Sequence, residues 1–368
     1  MLSQEAPPPG EHVFNLEYKP SGFGLDVSVD FWEQDIRFEK EPDFGERSVV
    51  RGLLRVGTKK KDHIGFALDR TEGKLYLDLN RNRDLTDEPE NIFEADNSRT
   101  SQRFRKIPVK LQMASSILPY AINIDFHLHN QNRPYGYMSI VSGFQAEIEL
   151  NGKNWLLKVA DNMDGKITQS DRIVLIPVEA NIGSAYKQLS SPVPETVFFD
   201  GHNYRVSFEL QPGETAPSLR VSFVEADSPM GRLELEGKFV KWLVLEAGSS
   251  LVLLDSPAAT VSVPTGNYRW RNIFLDGGEA GLFKVDTHAR RADEISVREG
   301  ESVTLKIGGP LHNSVEIQRM GKVLTFEYKL LGVDGYSYES LRGRSASAPT
   351  FAVYKNDKEI ASGEFEYG

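Results

Sequence analysis

The sequence predicts an all-β chain of tandem β-sandwich domains, immunoglobulin-like or related. Three observations predict it. Apolar residues recur at a period of two, as in Leu25, Val27, Val29 and Phe31 against Asp26, Ser28, Asp30 and Trp32, and again in Leu324, Phe326, Tyr328 and Leu330. Successive strand side chains point to opposite faces, so this alternation marks strands with one buried face. Short apolar runs are punctuated by turn formers such as Asn151-Gly152, and no helix-period stretch of useful length interrupts them. The length, 368 residues, exceeds what one hydrophobic core usually supports.

Taken in order, residues 1–12 read as a proline-rich flexible leader. A first β domain spans 13–112. It has strands at 49–56 and 63–68 around a 57–62 turn, a hairpin at Gly73, and a strand at 74–78 that enters an acidic loop, 78–90; residues 107–111 close it. Residues 113–120 read as a connector with one helical turn ended by Pro119. A second β domain spans 113–226, with strands at 121–129, 135–141, 144–150 and 155–159, an acidic loop at 160–171, and strands at 173–178, 197–199, 204–210 and 219–224. A third module, 227–292, carries short strands at the spacing of a sandwich. The fourth, 293–368, is expected to be an immunoglobulin-like sandwich closing on a hairpin around Lys355-Asn-Asp-Lys358; these last two can form one unit.

Composition narrows the function. Hydrophobic residues make up 39% and charged residues 26%, as in an ordinary globular protein. A net charge of −10 argues against a nucleic-acid binder, which needs a basic face to displace phosphate counterions. The absence of cysteine removes disulfides, thiolate metal sites and cysteine nucleophiles. No apolar run is long enough for a membrane-spanning helix, so no membrane insertion is expected. The start has neither a basic n-region nor an apolar h-region; it reads as a mature N-terminus whose signal has been removed, which places the chain in a secreted, periplasmic or cell-surface setting.

The two acidic loops carry the chemistry. Asp78, Asn80, Asn82 and Asp84 place oxygen-bearing side chains at every second position after an apolar strand, as a hard cation requires of a tight loop. The register that lays Asn80 over Asn162 and Asn82 over Asp164 also lays Leu85 over Ile167, so the first two domains read as an internal duplication. Asn, Asp and Gly also form turns without an ion, and that reading stays open.

The first loop resembles the calcium loop of EF-hand and dockerin-type repeats, D-x-N/D-x-N/D-G-x-hydrophobic. The resemblance implies that Asp78, Asn80 and Asn82 occupy positions one, three and five and that Leu85 is the apolar eighth. Asp84 falls at position seven, where the family uses a backbone carbonyl. Arg83 stands where the family has glycine, and Pro89 where it has a bidentate carboxylate, so Asp87, Glu88 or Glu90 must substitute. The second loop has Asn162, Asp164, Gly165 and Asp171 at positions three, five, six and twelve, but Ala160 at position one; Asp161 compensates only in a shifted register. The candidate ligands are therefore Asp78, Asn80, Asn82, Asp84, Asn162, Asp164 and Asp171, and the cofactor implied is calcium.

Other signals are weaker. The segment from Val261 to Arg269, Val-Ser-Val-Pro-Thr-Gly-Asn-Tyr-Arg, resembles the V-x-L-P-x-G-x-Y stretch of transthyretin-like and carboxypeptidase-regulatory-like sandwich modules, which implies an accessory sandwich and no activity. Asp125, His127 and His129 share one strand face and either bind a transition metal or form a wet sheet face. Trp242, Trp270, Tyr336 and Tyr338 either stack on sugars or fill the core. There is no nucleophile elbow, P-loop or dinucleotide fingerprint. The expected function is an exported, non-catalytic binding or structural protein with calcium-stabilised loops and a carbohydrate or cell-surface protein as partner. The alternatives are a carbohydrate- or peptide-active hydrolase with β accessory domains, and a surface spacer.

Overall fold

The computed structural model describes residues 10–21, 28–29, 36–57, 62–97, 101–113, 116–127, 135–164, 166–180, 189–211, 216–285, 294–341 and 349–365. Among them the regular elements are strands and short 3₁₀ turns, in several separate sheets, as the alternation predicts. Most of the 25–31 alternation lies outside the described residues, with only Ser28–Val29 seen as strand. The chain gathers into two compact units: residues up to Glu195 with Val206–Val224, and Thr196–Arg205 with Glu225 onward. The strand His202–Gln211 is therefore shared, its first part in one unit and its remainder in the other.

Among the described residues, the first unit holds three sheets. One is an antiparallel meander of Val49–Leu54, Ile64–Asp69, Lys74–Asp78 and Ile92–Glu94. Ile64–Asp69 is buried along its whole length, so it reads as a continuous apolar run and not an alternating one. The second runs Ser28–Val29, Tyr135–Ile140, Ser116–His127, Ser101–Met113 and Asp96–Asn97. The third orders Ser191–Pro192, Arg172–Pro177, Lys153–Ala160, Gly143–Leu150, Glu11–Lys19 and Ser218–Glu225.

Three expectations are corrected in this unit. Residues 116–120 make no helical turn. They are strand, with Pro119 paired to Lys110, and the expected boundary at 112 falls at the tip of this long hairpin. A hairpin bonded along its length holds both arms in one unit. The leader ends earlier than residue 12, because Glu11–Lys19 is a strand; its buried Leu16 and Tyr18 show the alternation that the preceding prolines obscure.

The second unit is a sandwich. One sheet orders Thr196–Phe199, Ser250–Asp255, Val240–Ala247, Gly266–Asp276, Leu282–Val285 and Tyr338–Ser340. The other orders Thr260–Pro264, Met230–Glu236 and Ser302–Lys306. Leu233, Leu235 and Val263 of the smaller sheet share a core with Leu243, Leu245, Val252 and Trp270 of the larger. The Pro264-Thr265-Gly266 segment is not a hairpin turn. It carries the chain from one sheet to the other, and Tyr268 is buried with its hydroxyl donating to the Pro264 carbonyl at 3.0 Å. The separation expected at 292 is absent: Ile295–Val297 pairs with Gly266–Asp276, and Ser302–Lys306 pairs in parallel with Met230–Glu236. Beyond these, His312–Met320 pairs with Val323–Leu331, and Thr350–Lys355 pairs with Lys358–Glu364, each as a two-stranded hairpin. Phe326, Phe351, Phe365 and Tyr328 form an aromatic cluster between the two hairpins.

Candidate metal centre

Both acidic loops sit in the same local frame. Each follows the second strand of an antiparallel hairpin and leads into a third strand beside it: Lys74–Asp78 into Ile92–Glu94, and Lys153–Ala160 into Arg172–Pro177. In both, successive Asx turns curl the backbone. The Asn80 and Asn82 side-chain oxygens accept the N–H groups of Asn82 and Asp84; those of Asn162 and Asp164 accept the N–H groups of Asp164 and Lys166. The residue enclosed by the first of these turns is left-handed in each case, Arg81 at φ 63° and Met163 at φ 69°. These matches fall in the register that lays Asn80 over Asn162. Gly165 lies outside the described residues.

The apolar strand Lys74–Asp78 delivers Asp78 into a buried position, where its carboxylate accepts the N–H groups of Asn82 (3.0 Å) and Arg83 (3.1 Å). Burial raises its pKa, and these N–H groups oppose the rise. Asp84 turns elsewhere. Lys40 donates to its Oδ2 at 2.8 Å and Thr86 to its Oδ1, and these contacts hold its pKa at about 2. Asp87, itself exposed, accepts the amides of both Asn80 and Asn82, while Glu88 accepts the Asn80 N–H. Leu85 is buried beside Phe44 and Tyr76 and anchors the loop.

In the second loop the structure brings together Asp161, Asp164 and Asp171, with one potential ligand atom from each within 4.8 Å of the others. Asp161 and Asp171 are 1% and 0% exposed. Such a buried acidic group can hold a metal ion. Asn162, expected as a ligand, is instead tied down: its amide donates to Ser170 and its oxygen accepts the Asp164 N–H. Asp161 takes its place in the cluster, reached by the shifted register. Its sequence signal was only its place just past the end of the strand expected at 155–159.

Burial and the neighbouring carboxylates push Asp161 up to about 7 and Asp171 up to about 6. The Tyr120 hydroxyl donates to Asp161 Oδ2, and the Met163 N–H donates to Oδ1 at 3.0 Å. Asp171 accepts the N–H groups of Asn162 (2.7 Å) and Thr168. Tyr120 is itself buried, packed edge-on against Tyr18, so its phenol stays protonated, with its pKa pushed well upward by burial and by Asp161.

The remaining candidates resolve into structural roles. Arg105 grips Asp125 through both oxygens at 2.9 Å, which engages the carboxylate that a metal on that face would need. His127 packs edge-on against Tyr137, and His129 lies outside the described residues. Trp242, Trp270 and Tyr338 are buried, and Tyr336 packs edge-on against Trp270 at 5.2 Å, so these aromatics build the core and not a platform. Among the described residues, no helix is long and apolar enough to cross a membrane. Compared with protein families, curated proteins and solved structures, the chain has no match.

Proposed function

We propose that this protein binds calcium on its second acidic loop as a structural ion and works outside the cell as a non-catalytic binding or structural protein. One observation carries the reading: three carboxylates converge within 4.8 Å although two of them are buried. Buried, adjacent carboxylates repel one another and lose hydration; a divalent cation converts both costs into attraction. Oxygens on opposite sides of calcium stand about 4.6–5.2 Å apart, and around magnesium about 4.0–4.2 Å. A donor set made only of oxygen suits a hard cation better than zinc or copper. The first loop, with Asp78, Asp87 and Glu88 turned toward it, is a second and weaker candidate.

Calcium outside cells is abundant enough to fill weak loops, whereas resting cytosolic calcium is not, which favours export. A carbohydrate or cell-surface protein is the partner class that suits this setting. A hydrolase would need an acid facing substrate. Asp161 has a suitable pKa, about 7, yet it is 1% exposed and held by Tyr120 and Met163, which favours the structural role.

The test is a calorimetric calcium titration of chelator-stripped protein, with thermal unfolding followed alongside. The expected result is saturable heat and a raised Tm, both lost in the Asp161→Asn, Asp171→Asn double variant. Asp78→Ala reports separately on the first loop. No heat and no Tm shift at about millimolar calcium would sink the reading.

A further inference from the structure

Beside the second acidic loop lies an open cleft of about 510 Å³. The loop residues Thr168, Gln169 and Ser170 form one wall; Glu195, Ser207 and Phe208 contribute to the rest. This volume lies in the range of small-molecule sites, which usually combine apolar surface with a few placed polar groups.

The lining specifies the ligand chemistry. The Val206 N–H donates to the Glu195 carbonyl, the Val193 N–H to the Asp171 carbonyl, and the Thr168 N–H to the Asp171 carboxylate. These three backbone donors of the walls are therefore already engaged within the fold. What the walls add is side-chain chemistry: the exposed Ser207, the Thr168 and Ser170 hydroxyls, already bonded to each other and to Asn162 but each with capacity for a further hydrogen bond, and a Gln169–Glu195 pair bonded at 3.0 Å. Hydroxyl and amide groups both donate and accept, and a carboxylate accepts from neighbouring hydroxyls of a diol. Phe208 is half-buried and gives an apolar face against which a ring can lie. Glu195 and the nearby acidic loop repel anions.

We propose that this cleft binds a neutral carbohydrate of one or two sugar units and that an ion in the second loop strengthens the binding. The ion's part rests on the calcium reading. Its route is short: Asp171 holds the Thr168 N–H, Asn162 holds the Ser170 hydroxyl, and Thr168 and Ser170 share a hydroxyl contact at 2.7 Å. An ion that fixes Asp171 and Asp164 thereby fixes one wall of the cleft.

The experiment titrates the full chain, calcium-loaded and chelator-stripped, with glucose, galactose, mannose, xylose, N-acetylglucosamine, maltose and cellobiose, and with galacturonate as an anionic probe. At least one neutral sugar is expected to saturate below about 10 mM. Glu195→Gln and Phe208→Ala should each weaken it about tenfold, with Tm unchanged. Ser207→Ala, at an exposed position, replaces Phe208→Ala if that variant melts early. Chelation should weaken the same sugar, and galacturonate should not bind. The inference is overturned if no neutral sugar saturates, or if the variants bind like the parent. Calcium heat without any sugar binding defeats the cleft and leaves the ion site. Sugar binding in this cleft without calcium heat defeats the ion and leaves the cleft. Calcium heat with equal sugar binding in both states defeats the coupling.

Discussion

At the scale of single residues, Asp161 and Asp171 decide how this protein answers to pH. Both have folded pKa values raised, to about 7 and about 6, above an unfolded carboxylate near 3.8. Their favourable contribution is therefore fully present below the unfolded value and is lost as pH rises through the folded values. Chelator-stripped protein should lose a few kcal/mol of stability between about pH 4 and pH 8, measured by urea unfolding, and Asp161→Asn should flatten the curve. Metal binding needs both groups ionised, so calcium affinity should rise over the same interval and binding should release protons, read as a buffer-dependent calorimetric heat. Arg83 offers a second residue-scale test. It is exposed and left-handed at φ 66°, a conformation that costs a non-glycine residue about 1 kcal/mol or more. Arg83→Gly is expected to raise stability by up to about 1 kcal/mol in chemical denaturation, since glycine's extra unfolded-state freedom offsets part of the relief.

At the scale of elements, much was legible and some was not. The alternation at 324–330 is the strand Val323–Leu331, and the turn at Lys355-Asn-Asp-Lys358 joins the expected closing hairpin, because local pattern alone fixes such pairs. The strands Thr196–Phe199 and Ser250–Asp255 were both visible, the second as 251–254, but their parallel pairing was not, since nothing local encodes a pairing across that separation. Two of the three members of the acidic cluster were legible by spacing, Asp164 and Asp171, and Asp161 only by shifting the register. Burial decided the difference, placing Asp161 inside and leaving Asn162 to cap its own loop. The anchor of the first loop gives an element-scale prediction. Leu85 is 3% exposed in a small cluster with Phe44 and Tyr76, and Leu85→Ala should cost about 2–5 kcal/mol by urea unfolding. The hairpin of His312–Met320 with Val323–Leu331 leaves Ile317, Met320 and Val323 exposed. Ile317→Lys should raise solubility, measured by precipitation at increasing protein concentration, and leave Tm within about a degree.

At the scale of the whole molecule, two compact units stand where length and turn signals suggest three or four domains. Turn-rich stretches such as Pro264-Thr265-Gly266 mark changes of sheet as well as changes of domain, and a sequence does not separate the two. Each unit is also built from two stretches of chain. The strand Glu11–Lys19 bears the consequence of that division. It meets Gly143–Leu150 through only Glu17, Tyr18 and Lys19, whereas its whole run from Glu11 to Glu17 pairs with Ser218–Glu225. During synthesis, then, this strand must wait until residue 224 has emerged before its main partner exists. Until then its edge is open to chaperones or to the wrong neighbour, and a ribosome that stalls after Glu195 would present a nascent chain in which Glu11–Lys19 lacks that partner.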